Sequence, residues 1–113
     1  MMRAVEFRPP SYFALAALID GPLHGYAIMK RAGELSEGSV RLSTGTLYAA
    51  LERAISEGLV TVGEPYLEHG RTRRDYELTP SGRQALQQEA AALSRAAEAV
   101  RVRLRPAEGA VSA

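Results

Sequence analysis

The sequence predicts a single, mainly α-helical domain with one small β-hairpin and a long C-terminal helix. Three observations support this prediction. Apolar residues recur at helical spacing between residues 43 and 58, two short β-rich runs follow at 59–62 and 74–78, and no Gly or Pro interrupts residues 83–105. With 113 residues and 46% apolar content, the chain has room for one modest core.

A first helix is expected at the start of the domain. The pair Pro9-Pro10 suits its entrance, and Asp20-Gly21-Pro22 would end it, because Gly takes the left-handed turn and Pro blocks continuation. The helix is apolar around its whole circumference, so we expect it to be buried, with Tyr12 and Phe13 at an interface with a second chain.

A second helix is predicted from residue 26 to about residue 36, where its inner side is apolar. His24 precedes it, and we expect His24 to form a hydrogen bond within the connecting turn. Residues 40–42 alternate apolar, basic and apolar, which is long enough for one short strand.

The central helix has typical signals at both ends. Ser43 is a good N-cap residue and Gly58 a good C-terminal stop, which gives a helix of about four turns. Its inner stripe is apolar and is formed by Leu47, Leu51 and Ile55, flanked by Ala50 and Ala54. Its outer face is small and includes Gly45, Ala49 and Ser56.

The small outer face has two explanations that periodicity alone does not separate. Short side chains let a helix approach the base edges of a DNA major groove. In that interpretation four residues lie nearest the bases, namely Thr44, Gly45, Thr46 and Ala49, while Tyr48 and Arg53 flank them toward the phosphates. An ordinary amphipathic surface helix would show the same pattern.

The two β-rich runs are joined by a basic segment. Its sequence is His69-Gly70-Arg71-Thr72-Arg73-Arg74, so a hairpin tip would be flexible at Gly70 and cationic beside it. Such a tip can lie along DNA phosphates and displace condensed counterions. We assign Arg71 and Arg73 to these contacts and expect less from Arg74, which could pair with Asp75 or Glu77. A solvated loop explains the same charges.

Four motifs in order resemble the PadR family of bacterial transcriptional regulators. They are His24-Gly25-Tyr26, the run Leu42-Ser43-Thr44-Gly45-Thr46-Leu47-Tyr48 with Leu51 and Arg53, the run Glu57-Gly58-Leu59-Val60, and residues 70–73 continuing through 76–83. The resemblance covers roughly residues 10 to 90. It implies a winged helix-turn-helix that binds double-stranded operator DNA as a homodimer, with a recognition helix over residues 43–57 and a wing over residues 67–72.

The resemblance also implies which residues contact DNA. They are Ser43, Thr44, Gly45, Thr46, Tyr48, Ala49, Arg53, His69, Gly70, Arg71 and Arg73. Two positions depart from the family pattern: Ala54 replaces a commoner leucine, with Ile55 expected to take the apolar role, and Glu52 would repel phosphate. Repression is the commoner mode in the family, and many members respond to a small lipophilic or aromatic effector.

The last helix is predicted to hold the dimer. Thr79 is a good N-cap, Pro80 suits the first helical position, and Pro106 ends the helix. Its apolar residues are spaced alternately by four and three as in a coiled-coil seam: Leu86, Ala90, Leu93, Ala97, Val100 and Leu104. Packing wholly within the chain is the alternative. Gly82 in the first turn destabilises this helix by about 1 kcal/mol relative to Ala, unless a neighbouring backbone passes so close that a side chain would not fit.

The predicted organisation is a DNA-binding domain over residues 1–78, a dimerisation helix over 79–106 and a disordered tail over 107–113. The sequence has no cysteine, no histidine pair at metal-ligand spacing and no Gly-x-Ser-x-Gly motif, so we expect no metal, no cofactor and no enzyme. No apolar run approaches the ~20 residues of a membrane span, and we expect a cytoplasmic protein. The alternative function is a winged-helix module that binds a protein partner.

Overall fold

The computed structural model describes residues 7–106. The helices are α1 (Pro9–Ala16), α2 (Gly25–Leu35), α3 (Thr44–Ser56) and α4 (Pro80–Leu104). The strands are β1 (Leu23–His24), β2 (Val60–Val62), β3 (Tyr66–Glu68), β4 (Arg71–Arg73) and β5 (Asp75–Leu78). None of these helices is long and apolar enough to cross a membrane.

The β-structure is more divided than the single hairpin that the sequence predicted. β5 lies between β1 and β2 in an antiparallel three-stranded sheet, while β3 and β4 form a separate two-stranded hairpin. The short strand predicted at residues 40–42 is absent, because the Val40 N–H binds the Ser36 Oγ at 3.1 Å and is not available to a ladder. The edge of β5 is paired instead with Leu23 and His24.

The core lies between α1, α2, α3 and the three-stranded sheet. Its largest fully buried side chains are Leu15, Leu18, Ile28, Leu47, Leu51 and Val60. α1 ends at Ala16 rather than near Asp20, because the next amides bond three residues back in tight turns. Tyr12 and Phe13 are half-buried and contact each other edge to face at 5.2 Å between ring centroids. The contact of Tyr12 and Phe13 with a second chain stays a prediction.

Both predicted ends of α3 are confirmed. The Ser43 Oγ accepts the Thr46 N–H at 3.1 Å, and Gly58 takes a φ of 75° that favours glycine. The inner stripe differs in one position: Ala54 is 4% exposed, whereas Ile55 is only half-buried. Ala54 therefore completes the buried stripe itself, and the expectation that Ile55 takes this role was wrong.

The start of α4 is joined to the end of α3. Thr79 caps α4 by accepting the Gly82 N–H at 2.9 Å, and its hydroxyl donates to the Gly58 carbonyl at 2.7 Å. A methyl group at Gly82 would collide with the Leu59 carbonyl oxygen. Gly82 is therefore present because another backbone passes close to it, which answers the question that the sequence left open.

α4 leaves the core in its third turn, beyond the buried Glu89. Leu86 is 5% exposed and packs within its own domain, so it does not offer a surface to a second chain as the seam had suggested. Further along the helix, Leu93, Val100 and Leu104 are 47%, 57% and 77% exposed. Ala90 and Ala97 are exposed as well. The tail at residues 107–113, predicted to be disordered, lies outside the described residues.

Candidate nucleic-acid interface

The outer face of α3 is exposed and small, as predicted. Thr44, Gly45, Thr46 and Ala49 are all exposed, and the longer side chains of Tyr48, Glu52 and Arg53 are exposed on the same helix. Ser43 is committed to the helix end, because its hydroxyl also donates to the Thr46 Oγ1 at 3.0 Å. The Thr46 hydroxyl hydrogen is then free to donate outward, and Thr46 is better placed than Ser43 to bind a ligand.

The wing is a regular hairpin rather than a flexible loop. β3 and β4 pair with Tyr66 opposite Arg73 and Glu68 opposite Arg71. The two turn residues, His69 and Gly70, have φ angles of 51° and 76°, the pair of positive values that a type I′ turn requires. Arg71 therefore projects from the first position after a tight two-residue turn.

The base of the wing carries a hydrogen bond outside the ladder. The Tyr66 hydroxyl donates to Asp75 Oδ1 at 2.6 Å. This hydrogen bond to a carboxylate is the main reason that the pKa of Tyr66 rises to about 12. The contact joins the first strand of the wing to β5 and supports the direction in which the wing leaves the sheet.

Arg73 is held inside the protein rather than presented to solvent. Its side chain is 20% exposed, and its Nε lies 3.0 Å from Glu68 Oε1. That contact is ionic rather than a directed hydrogen bond, because the Nε lacks a partner in line with its N–H. The Nη1 lies 3.0 Å from His24 Nδ1. Arg73 was predicted to contact DNA, but these contacts occupy its guanidinium.

His24 connects the wing to the start of α2. Its Nδ1 accepts the Ala27 N–H at 3.2 Å, so the hydrogen bond expected in this turn is confirmed as an N-cap. Because Arg73 also approaches Nδ1 as a donor, the hydrogen-bond network assigns the ring proton to Nε2, which lies 3.8 Å from Glu68 Oε1. We call His24, Glu68 and Arg73 the wing cluster. Residue spacing gave no signal for it, since His24 and Arg73 are far apart in the chain.

Arg74 directly follows β4 and is a cation without an ion pair among the described residues. It is exposed, and within residues 7–106 it forms no ion pair with Asp75 or Glu77. Arg71 is exposed as well, and both arginines line the same groove. Arg73 lines this groove too, but it is partly buried and contacts Glu68 and His24, so its predicted contact with DNA stays a prediction.

The wing and α3 face a common groove of about 440 Å³, which we call the wing groove. Thr44 and Tyr48 of α3 line it opposite Arg71 and Arg74, and the half-buried His24 lies at its base. The exposed Tyr26 also lines the groove, although the sequence reasoning used it only for the family resemblance. The groove thus brings Thr44 and Tyr48 together with Arg71 and Arg73, whereas the other predicted site residues of α3 and the wing do not line it.

Tyr48 lies across the base of this groove. A methyl group at Gly25 would collide with the Tyr48 hydroxyl, so a glycine is needed for the ring to lie there. The ring centroid is 6.3 Å from that of Tyr76 at an interplanar angle of 57°. Burial raises the pKa of Tyr76, and Tyr48 raises it further. Tyr48 is 39% exposed.

Arg53 is exposed near the other end of α3, and the described residues provide it with no ion pair. Among residues 7–106, no three His, Asp or Glu side chains lie close enough together to hold a metal ion. The site therefore consists of small hydroxyl and methyl groups bordered by free arginines, a chemistry suited to nucleic acid.

Comparison with known proteins gives consistent results. The profile of the "Transcriptional regulator PadR-like family" matches residues 14–88. A transcriptional regulator of Mycobacterium tuberculosis is 41% identical over 81 residues, which are 72% of this chain and 72% of that protein. An uncharacterized 37.1 kDa protein of a Streptomyces fradiae transposon is 46% identical over 81 residues, which cover 72% of this chain but only 22% of that protein.

Solved structures with the same fold include a regulator in complex with operator DNA. The crystal structure of Bacillus subtilis PadR in complex with operator DNA aligns with a TM-score of 0.64 and 26% identity, covering 74% of this chain and 48% of that chain. A PadR family transcription regulator from Clostridium difficile aligns with a TM-score of 0.68 and 25% identity, covering 88% of this chain and all 100% of that chain.

Proposed function

Because this chain belongs to the PadR-like family of transcriptional regulators, whose members are not enzymes, we propose that it represses transcription by binding operator DNA as a homodimer. The observation that carries the proposal is the small, exposed outer face of α3 beside the free cations Arg71 and Arg74. The solved Bacillus subtilis relative binds operator DNA with the same fold, which supports this use of the face.

The proposed roles follow from side-chain size and charge. Thr44, Gly45, Thr46 and Ala49 lie nearest the base edges, because a major groove about 12 Å wide admits a helix only if its leading side chains are short. Arg71 contacts phosphates or the minor groove from the wing. In this assignment Ser43 and Arg73 support the site without contacting DNA, because their polar groups are already bound within the protein.

The dimer is proposed to form through α4. Its exposed apolar residues continue well past the core, and burying Leu93, Val100 and Leu104 against a second copy would contribute roughly 1.5–3 kcal/mol each as an upper estimate. The exposed alanines at 90 and 97 would let two helices approach closely. A two-fold dimer places two α3 helices about 34 Å apart, which matches an inverted repeat.

The proposal includes release of DNA by a small lipophilic or aromatic effector. Two half-buried rings on α1, Tyr12 and Phe13, offer aromatic surface for such a molecule. If the effector acts there, Tyr12→Ala should leave DNA affinity intact and abolish its response to effector. If the variant still loses DNA affinity when the effector is added, the effector binds elsewhere.

Selection from a random double-stranded DNA pool tests the proposed function. We expect an enriched inverted repeat whose affinity falls steeply with salt. Ala49→Glu should abolish binding while the dimer stays folded, because a carboxylate would be pressed against the base edges. Ala49→Ser is the matched control, since it keeps the side chain small. A pool that shows no enrichment, together with an affinity independent of salt, would indicate a protein-binding module instead.

A further inference from the structure

A second basic surface borders α3, and neither the family match nor the wing accounts for it. A cleft of about 350 Å³ separates the start of α1 from α3. It is lined by two arginines, two hydroxyl residues, two alanines and a proline: Arg8, Arg53, Ser11, Thr46, Ala49, Ala50 and Pro10. We call it the α1–α3 cleft.

The cleft and the wing groove lie on opposite flanks of the same helix. Thr44 and Tyr48 line the wing groove, whereas Thr46 and Arg53 line the α1–α3 cleft. Residues two apart on an α-helix are separated by roughly 200° around its axis, so Thr44 and Thr46 point to different sides. Ala49 lies on the outer face between the two sides. The face proposed to meet the bases is therefore bordered on both flanks.

The cations of the cleft are free to bind a ligand. Arg8 and Arg53 are exposed, and within residues 7–106 neither side chain forms an ion pair or hydrogen bond. Glu57 lies one turn beyond Arg53 and does not form an ion pair with it. By contrast, Arg31 is bound to Asp20 at 3.2 Å. Two unpaired guanidinium groups beside two hydroxyl groups match the chemistry of a phosphate.

From this arrangement we propose that the α1–α3 cleft holds a DNA backbone phosphate and that Arg8 is a DNA-contacting residue. The inference rests on the proposed function. A helix in a major groove has a phosphate backbone on each wall. Arg71 and Arg74 face one wall, and Arg8 and Arg53 meet the other. Arg8 and Ser11 precede residue 14, where the family match begins, so this contact is a feature of this chain beyond the matched region.

Arg8→Ala tests the inference through the salt dependence of DNA binding. Each lost phosphate contact lowers the slope of log affinity against log salt by about 0.9, so a dimer with two such clefts should lose about 1.8. Specific and random DNA should weaken alike. Arg8→Lys should restore most of the slope because it keeps the charge. Arg31→Ala removes the same charge near the opposite end of α1 and should leave the slope unchanged.

Ethylation interference locates the contact. Phosphates whose ethylation blocks the wild type but no longer affects Arg8→Ala should lie on the opposite groove wall from those lost in Arg71→Ala. If Arg8→Ala keeps the full slope and interference pattern while Arg71→Ala changes both, the cleft does not bind phosphate although the proposed function stands. If the wild type itself shows no salt-dependent DNA binding, the proposed function and this inference both fail.

Discussion

Arg73→Ala and Arg74→Ala make the same chemical change at adjacent residues and should have opposite effects. The Arg73 guanidinium binds Glu68 and His24 within the wing cluster, and its side chain is 20% exposed. Arg74 is exposed and faces the wing groove. Loss of Arg73 should therefore lower stability without removing a phosphate contact, and loss of Arg74 should remove a contact without lowering stability.

The expected loss for Arg73→Ala follows from two contacts. A hydrogen bond from a charged donor contributes about 1.5–3 kcal/mol, and a partly exposed ion pair about 0.2–1 kcal/mol. Glu68 is 43% exposed, so water screens its share, and we expect a net loss of about 2 kcal/mol in the free energy of unfolding. For a domain of this size, about 2 kcal/mol lowers the melting temperature by about 8 °C or more.

Thermal unfolding and DNA titration together test this pair of variants. Unfolding should be compared at one protein concentration, because a dimer gains stability with concentration. Arg73→Ala should bind DNA more weakly with an unchanged salt slope, since the wing is less well positioned but no phosphate contact is lost. Arg74→Ala should melt like the wild type with a slope lower by about 1.8 per dimer. If Arg73→Ala instead lowers the salt slope at an unchanged melting temperature, and Arg74→Ala lowers the melting temperature, then Arg73 is the phosphate ligand and the wing cluster is refuted.

Three further predictions concern the scaffold. Leu93→Asp should yield a monomer in sedimentation, because a carboxylate would be buried unpaired in the proposed α4 interface; Leu93→Met, which should stay dimeric, is the control. Gly82→Ala should cost about 1–3 kcal/mol in denaturant unfolding, since its methyl group meets the Leu59 carbonyl, and an unchanged midpoint would contradict that contact. The Tyr66 phenol should titrate with a pKa of about 12 when followed by absorbance, and Asp75→Asn should lower this pKa. The hydrogen bond to Asp75 therefore stabilises the folded state below pH 10, and this stabilisation is lost as the pH rises toward 12.

Features set by neighbouring residues could be predicted from the sequence. Ser43, Gly58 and Thr79 occupy the helix ends where the sequence placed them, because capping depends on a side chain and amides within a few residues. The α3 periodicity likewise located its buried side, except that Ala54 is more buried than Ile55. The helical spacing is compatible with either residue on that side.

Features set by distant contacts could not be predicted in the same way. The strand at Leu23–His24 has only two residues and exists because β5 passes beside it. Arg71, Arg73 and Arg74 look alike in the sequence, and contacts with Glu68 and the distant His24 distinguish Arg73 from the other two. The apolar repeat of α4 includes Leu86, which is buried in the core. The repeat alone does not show at which residue the helix leaves the domain.

The distribution of free and paired arginines explains how a chain with a net charge of only +1 can be suited to DNA. Several cations are neutralised within the protein, as in the pairs Arg31–Asp20, Arg73–Glu68 and Arg101–Glu98. The free arginines described above lie on the two flanks of α3, at positions 8, 53, 71 and 74. Counterion release depends on the number of phosphates contacted rather than on net charge. Apart from these four arginines the chain carries three more acidic than basic side chains, which weakens long-range attraction to DNA in general, so binding depends on the fit of α3 between its two cationic borders.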